Sequence, residues 1–314
     1  MRAMSYGSFG GAEALSLVDV PTPTPGPGQL LVKVSATSVN PIDWKMASGK
    51  LRLFLPVEFP AVPGFDVCGR VAALGPGVGG LTLGQRVHAR IAASPGGASA
   101  EFALVEAVQA VAIHHEMSDA DAAALPLAGM TALQGLRAGG LPPSGATARV
   151  LIVGASGGVG HLALQIARAA GAQVTGVCSG RNEATVRGLG ADDVIDYTNP
   201  EAWAGKGPWD IVYDCVGGDA GPWYRHLAPR GHYLTCVPAP ATFLALASAP
   251  FRRVKVTAVM LKSNGPDLRT LDALHEAGRL RVLVDSTYPL SELPKAWDRS
   301  KSGRAVGKIV VTVG

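Results

Sequence analysis

One stretch, Arg149 to Gly171, limits the possible folds of this chain more than any other. A short apolar run, RVLIV (Arg149–Val153), passes without a linker into GASGGVG (Gly154–Gly160) and then into a helix-forming segment, His161 to Ala170, that Gly171 stops. Glycines at Gly154, Gly157 and Gly160 allow backbone N–H groups to approach an anion at a helix N-terminus, and Gly160 lets the helix pack close to the strand. Glycine spacing alone is weak, but a strand before it and a helix after it make it a dinucleotide-binding signal. The candidate cofactor-binding residues here are Gly154, Ser156, Gly157, Gly158, Val159 and Gly160, with the Ser156 hydroxyl as a further donor.

The sequence beyond this turn keeps alternating. QVTGVC (Gln173–Cys178), DVIDY (Asp193–Tyr197), DIVYDC (Asp210–Cys215), HYLTC (His232–Cys236) and VKVTAV (Val254–Val259) read as strands, most separated by helix-capable sequence. That order implies a doubly wound parallel sheet of Rossmann type. Cys236, at the end of HYLTC, joins the cofactor-binding candidates.

The first third has a different texture. PTPTPGPG (Pro21–Gly28) reads as an exposed connection, and Leu30–Val39, Val67–Leu74 and Glu101–Val105 read as strands between Gly/Pro breaks. At Ser118 an N-cap and acidic first turn open an Ala/Leu-rich helical stretch. The tail offers a helix over Asp267–Ala277, the run VLVD, a short helix near Leu293–Ser300 and a last strand, KIVVTV, suited to rejoin the β-rich part. The expected division is therefore residues 1–117 and 263–314 for one β-rich domain and 118–262 for the inserted α/β domain.

With 314 residues, each part is long enough to bury its own core. A net charge of +4 without a basic stripe gives no support to a nucleic-acid surface. The four cysteines stand far apart with no CxxC pair, which argues against a zinc knuckle or a disulfide framework. No apolar run nears the ~20 residues of a membrane span, and the expected location is the cytoplasm.

The end of the second strand bears on the cofactor. An NAD site usually places an acidic residue there for the ribose 2′-OH, whereas this chain reads Cys178-Ser179-Gly180-Arg181-Asn182. Ser179 can donate to a 2′-phosphate and Arg181 can add a charge-assisted hydrogen bond, so NADPH is the expected cofactor.

Several further stretches resemble the zinc-free quinone oxidoreductase, or zeta-crystallin-like, branch of the medium-chain dehydrogenase/reductases. They are VNPIDWK (Val39–Lys45), PGFDVCG (Pro63–Gly69), LAGMTA (Leu127–Ala132), VGASGGVG, LGADDVIDY (Leu189–Tyr197) and GKIVV (Gly307–Val311). They span nearly the whole chain in order. The resemblance implies a GroES-like β-rich catalytic domain with a Rossmann domain inserted, and nicotinamide and substrate held in the cleft between them. It also implies roles for individual residues: Ser179, Arg181 and Tyr197 at the adenosine 2′-phosphate, Thr131 beside the nicotinamide, Asn40 facing cofactor and substrate, and Lys308 reaching the cofactor. Asn40, Asp43 and Lys45 are the catalytic candidates, the last two being equally readable as a surface ion pair. Zinc-dependent relatives place Cys or His where Asn40, Phe65 and the Leu127–Ala128 region stand here, so no metal is expected. Cys68 and His88 read as a buried thiol and a strand histidine rather than a remnant metal site.

Without a Lewis-acid metal, a conjugated acceptor is the easier hydride acceptor, because the charge that develops on oxygen is delocalised over a phenolate or enolate. The expected activity is NADPH-dependent reduction of quinones or α,β-unsaturated carbonyls by a homodimer. A zinc-type alcohol dehydrogenase and a non-catalytic NADPH-binding regulator are the alternatives.

Overall fold

The computed structural model describes residues 1–141, 147–217, 223, 225–240, 242–243, 247, 249 and 253–314. Two compact units emerge, one of Met1–Ala128, Lys262–Asp272 and Val282–Gly314, the other of Gly129–Leu261 and Ala273–Arg281. The division falls at Ala128/Gly129 rather than at Ser118, because the helix Asp119–Ala124 packs on strands of the first unit. Ser118 caps that helix, its Oγ accepting from Asp121 N–H at 3.0 Å. The single helical stretch expected from Ser118 is instead two helices, Asp119–Ala124 and Pro126–Ala138, since Pro126 has no N–H to continue the ladder.

The first unit is β-rich. Strands β1 (Arg2–Ser5) and β2 (Ser16–Asp19) form an antiparallel ribbon. A larger sheet contains β3 (Gln29–Val39), β4 (Asp66–Leu74), β5 (Arg86–Arg90), β6 (Phe102–Glu106), β7 (Val111–Ala112), β14 (Val284–Pro289) and β15 (Lys308–Thr312) in the order β14-β15-β3-β4-β5-β7, with β6 also on β3. KIVVTV does rejoin the N-terminal strands: Ile309 pairs with Val39 and Thr312 with Ala36. Alternation along β3 and its neighbours sends Leu30, Val32, Val34, Val67, Val71 and Val311 into a core completed by Met4, Tyr6 and Trp297. Each large apolar side chain so buried contributes roughly 1.5–3 kcal/mol.

The second unit holds six parallel strands, β8 (Arg149–Val153), β9 (Gln173–Cys178), β10 (Asp193–Asp196), β11 (Trp209–Asp214), β12 (Leu227–Thr235) and β13 (Lys255–Ala258). Their order is β10-β9-β8-β11-β12-β13, the doubly wound arrangement expected. Val150 to Val153 are all buried, as a central strand covered on both faces requires. The helix-capable stretches on either side of β12 lie largely outside the described residues. No described helix is long and apolar enough to cross a membrane.

Candidate functional site

In the second unit the strand order reverses between β8 and β11, and ligands of such sheets sit outside the carboxyl ends at that point. The glycine turn occupies it. Gly154 has φ +77° and packs so closely on Val216 that an added Cβ would come within 2.5 Å of Cγ2 of that residue. A Cβ on Gly160 would fall on the Gly154 carbonyl, so the helix Gly160–Ala169 begins against the turn with no room for a side chain. Gly157, Gly158 and Val159 are half-buried, and Gly157 N–H closes the turn on Gly154 O at 2.9 Å. This cradle fits a pyrophosphate, which needs bare backbone at a helix N-terminus.

Two contacts around the turn escaped the sequence reading. The Ser156 hydroxyl accepts from Asn182 Nδ2 at 3.0 Å, tying the turn after β8 to the turn after β9. Asp214, fully buried at the end of β11, accepts from the N–H groups of Val216 and Gly217, both at 2.9 Å, and from Tyr233 Oη at 2.7 Å. Burial and that carboxylate push the Tyr233 phenol up. Only a strand-end Asp three positions before a Gly signals such a loop-organising carboxylate in sequence.

Ser179, Arg181 and Tyr197 share one corner, because the register pairs Cys178 with Asp196 and Tyr197 N–H donates to Cys178 O at 3.1 Å. Arg181 is exposed in the turn Gly180–Asn182 without a hydrogen bond or ion pair, and Tyr197 is also exposed. The absence of a carboxylate at the end of β9 is only half the picture: Asp196, on the neighbouring strand, accepts from Thr198 N–H and Oγ1, which holds its carboxyl below the usual range, and its Oδ2 lies close beside Gly180. Thr131 lies inside the helix Pro126–Ala138, and its carbonyl accepts from Tyr213 Oη at 2.8 Å. Cys236 is half-buried past the end of β12.

In the first unit, residues from three distant stretches meet. Asn40 opens the helix Pro41–Ala47, its N–H donating to Asp43 Oδ2 at 2.7 Å. Its side-chain Nδ2 donates to Asp66 Oδ2 at 2.8 Å and Ser38 O at 3.4 Å, while Oδ1 accepts from Lys308 Nζ at 2.5 Å. The Asn40 side-chain amide is therefore committed within the protein, to Asp66, Ser38 O and Lys308. Asp66 Oδ2 also accepts from Ser38 Oγ at 2.6 Å and lies 3.6 Å from Lys308 Nζ, and its Oδ1 accepts from Leu127 N–H at 2.7 Å. Lys308 is buried, not solvated at a strand end; its ammonium serves Asn40, Val39 O and Asp66.

Asp43 is buried as well, which excludes a surface ion pair with Lys45. Lys45 instead sets its ammonium 5.6 Å from the Trp44 ring centroid. Asp43 Oδ1, Tyr6 Oη and Arg90 Nε are buried without partners. Burial raises the Asp43 carboxyl to about 7; the Asn40 N–H opposes this, the Asp66 charge adds to it, and Lys308 and Arg90 oppose it. The Tyr6 phenol is pushed up to about 12 by burial and then by Asp43.

Phe65 is buried with its ring 5.1 Å from the Arg90 guanidinium carbon. His88 binds Ala122 O through Nδ1 at 3.0 Å and Asp272 Oδ2 through Nε2 at 3.1 Å, and Cys68 Sγ lies 3.6 Å from Asp119 Oδ1. Among the described residues no three His, Cys, Asp or Glu side chains are arranged to hold a metal ion.

Two family models match: an alcohol dehydrogenase GroES-like domain over residues 26–115 and a zinc-binding dehydrogenase domain over residues 189–311. The chain is 39% identical to a chloroplast envelope quinone oxidoreductase homolog of Arabidopsis thaliana, over 99% of this chain and 98% of that protein. The chain belongs to the quinone oxidoreductases of the medium-chain dehydrogenase/reductase superfamily. This quinone oxidoreductase is also 33% identical to a 2-methylene-furan-3-one reductase of Solanum lycopersicum, over 99% of this chain and 79% of that one. A mycobacterial protein solved with NADPH superposes with a TM-score of 0.84 at 29% identity, over 99% of each chain. As an oxidoreductase of this superfamily, the chain binds a nicotinamide cofactor.

Proposed function

We propose that the protein reduces quinones and α,β-unsaturated carbonyls with NADPH, without zinc. The observation that carries the reading is the cradle at Gly154 and Gly160, where a side chain would collide with Val216 or with the Gly154 carbonyl, so that bare backbone lines the helix N-terminus. Gly157, Gly158, Val159 and Ser156 would complete that contact, Thr131 and Cys236 are retained as cofactor-side residues, and Lys308, its ammonium committed to Asn40, Val39 O and Asp66, would act only through them. The corner of Ser179, Arg181 and Tyr197 would hold the 2′-phosphate. Arg181 has a free guanidinium for it, and Asp196 has its charge spread over donors of its own. The mycobacterial relative solved with NADPH supports that choice.

A bound reduced nicotinamide supplies a hydride. The unit made of Met1–Ala128, Lys262–Asp272 and Val282–Gly314 would be the catalytic one. There Lys308 and Asn40 fix Asp66, and Asn40 N–H fixes one oxygen of Asp43. The other oxygen, Oδ1, has no partner, and its carboxyl sits near 7, so it can hold a proton at neutral pH and release it to the oxygen of an enolate or of the hydroquinone anion. Lys45 would contribute only charge. The Asn40 and Phe65 positions offer zinc no thiolate or imidazole.

The test is a panel of 1,4-quinones, enals, enones and saturated ketones, with NADPH and NADH oxidation followed by absorbance and zinc measured on the same sample. Turnover of quinones or enones with NADPH and less than stoichiometric zinc is expected. Efficient oxidation of simple alcohols with one essential zinc per chain would replace this reading by the zinc-type one. Tight NADPH binding without turnover of any acceptor would make the protein a cofactor-binding regulator. Sedimentation should give a dimer, the proposed assembly.

A further inference from the structure

Cys215 and Cys236 follow β11 and β12 directly, one position beyond the last paired residues, Asp214 and Thr235. Residues opposite each other on neighbouring strands point to the same face, and their spacing of roughly 4.8 Å lies within the roughly 4.4–6.8 Å that a disulfide spans. The chain positions lock together at this point: Cys236 N–H donates to Asp214 O at 3.3 Å, and the Cys236 sulfur lies 3.9 Å from the same carbonyl, beside Cys215. Both are half-exposed, whereas Cys68 and Cys178 are buried and far apart in sequence.

Their place in the sheet gives the pair a consequence. Cys215 precedes Val216, whose side chain packs over Gly154, and Cys215 Cβ itself lies at van der Waals distance from where a Gly154 side chain would begin. Asp214 holds this corner through the N–H groups of Val216 and Gly217. Drawing the sulfurs of these neighbouring strand ends to a bond of about 2 Å must shift Cys215, and Val216 with it, against the turn.

We propose that Cys215 and Cys236 are a redox-active pair that closes to a disulfide under peroxide and thereby weakens cofactor binding at the adjacent glycine turn. The second half rests on the cofactor reading above. The Cys236 sulfur attacks one peroxide oxygen, the O–O bond breaks, and a sulfenic acid and one water result. The Cys215 sulfur then attacks the Cys236 sulfur, the S–O bond breaks and a second water leaves. The thiols together lose two protons and two electrons, and hydrogen peroxide is reduced to two waters. Burial pushes the Cys215 thiol up, which disfavours its thiolate. A dithiol reverses the bond.

The experiment treats the full-length protein with hydrogen peroxide, alkylates it without reduction and maps the digest by mass spectrometry. A NADPH fluorescence titration accompanies each state. The expected result is a Cys215–Cys236 linked peptide pair, an intact mass lower by about 2 Da, and NADPH binding weakened about tenfold or more and restored by dithiothreitol. Cys215→Ala should leave Cys236 as a trappable sulfenic acid and abolish the mass loss. Alkylation of both cysteines after peroxide, with no linked peptide, overturns the pair. A linked peptide with unchanged NADPH affinity overturns its coupling to the turn. A linked peptide in a protein that binds no NADPH even when reduced overturns the cofactor reading and leaves the pair standing.

Discussion

Replacing Lys308 by Met removes the only ammonium that the buried Asn40, Asp66 and Asp43 cluster contains. The Lys308 Nζ is 3.6 Å from Asp66 Oδ2 and 2.5 Å from Asn40 Oδ1, with both charged side chains inaccessible to water. At an effective dielectric constant near 20, two unit charges at that separation attract by about 5 kcal/mol. Desolvating the ammonium offsets much of this, but deleting one partner strands the other, and such single deletions cost about 3–5 kcal/mol. Asp66 keeps Ser38 Oγ, Asn40 Nδ2 and Leu127 N–H as donors, which places the expected loss toward the lower figure. At roughly 2–4 °C per kcal/mol for a unit of this size, the melting transition should fall by about 6–12 °C. Differential scanning calorimetry at pH 7 is the assay, and because the chain has two compact units, the transition of the first unit is the one that should move. Adding Asp66→Asn to Lys308→Met should recover part of the loss, since it removes the stranded carboxylate. A midpoint lowered by less than about 2 °C, or a double variant no better than the single one, would refute a charge pair that holds the cluster together.

Asp43 has a folded-state pKa above its unfolded one, so the folded chain binds the extra proton and stability declines as pH rises from about 4 to about 7; Asp43→Asn should flatten that decline in urea titrations across the window. An unchanged slope would show that Asp43 does not titrate there. Arg181→Ala should weaken NADPH roughly tenfold to a hundredfold and leave NADH nearly unaffected, at about 1.5–3 kcal/mol for a charge-assisted bond. Equal weakening of both cofactors by calorimetry would return Arg181 to an ordinary surface turn. Gly160→Val should abolish binding of either nucleotide, because its side chain meets the Gly154 carbonyl; retained affinity would contradict the cradle.

The sequence by itself determined the features whose physics is local. A strand, a glycine turn and a helix in unbroken succession carry the whole anion cradle in one short segment, and the alternation after it dictates a parallel sheet. Ser118 as a cap and Pro126 as an interruption are local too, though only the latter's effect on the helix had to be seen. The tertiary structure decided what depends on register and burial. Lys308 reaches Asn40 from 268 positions away, and no pattern near either residue records that β15 lies against β3. Asp43, readable as half of a surface pair with Lys45, is a buried carboxyl near 7 because water is excluded around it and Asp66 is nearby. Asp196 and Gly180 meet across β9 and β10, and Cys215 and Cys236 across β11 and β12, because parallel pairing sets side by side residues that the sequence separates by a whole crossover connection.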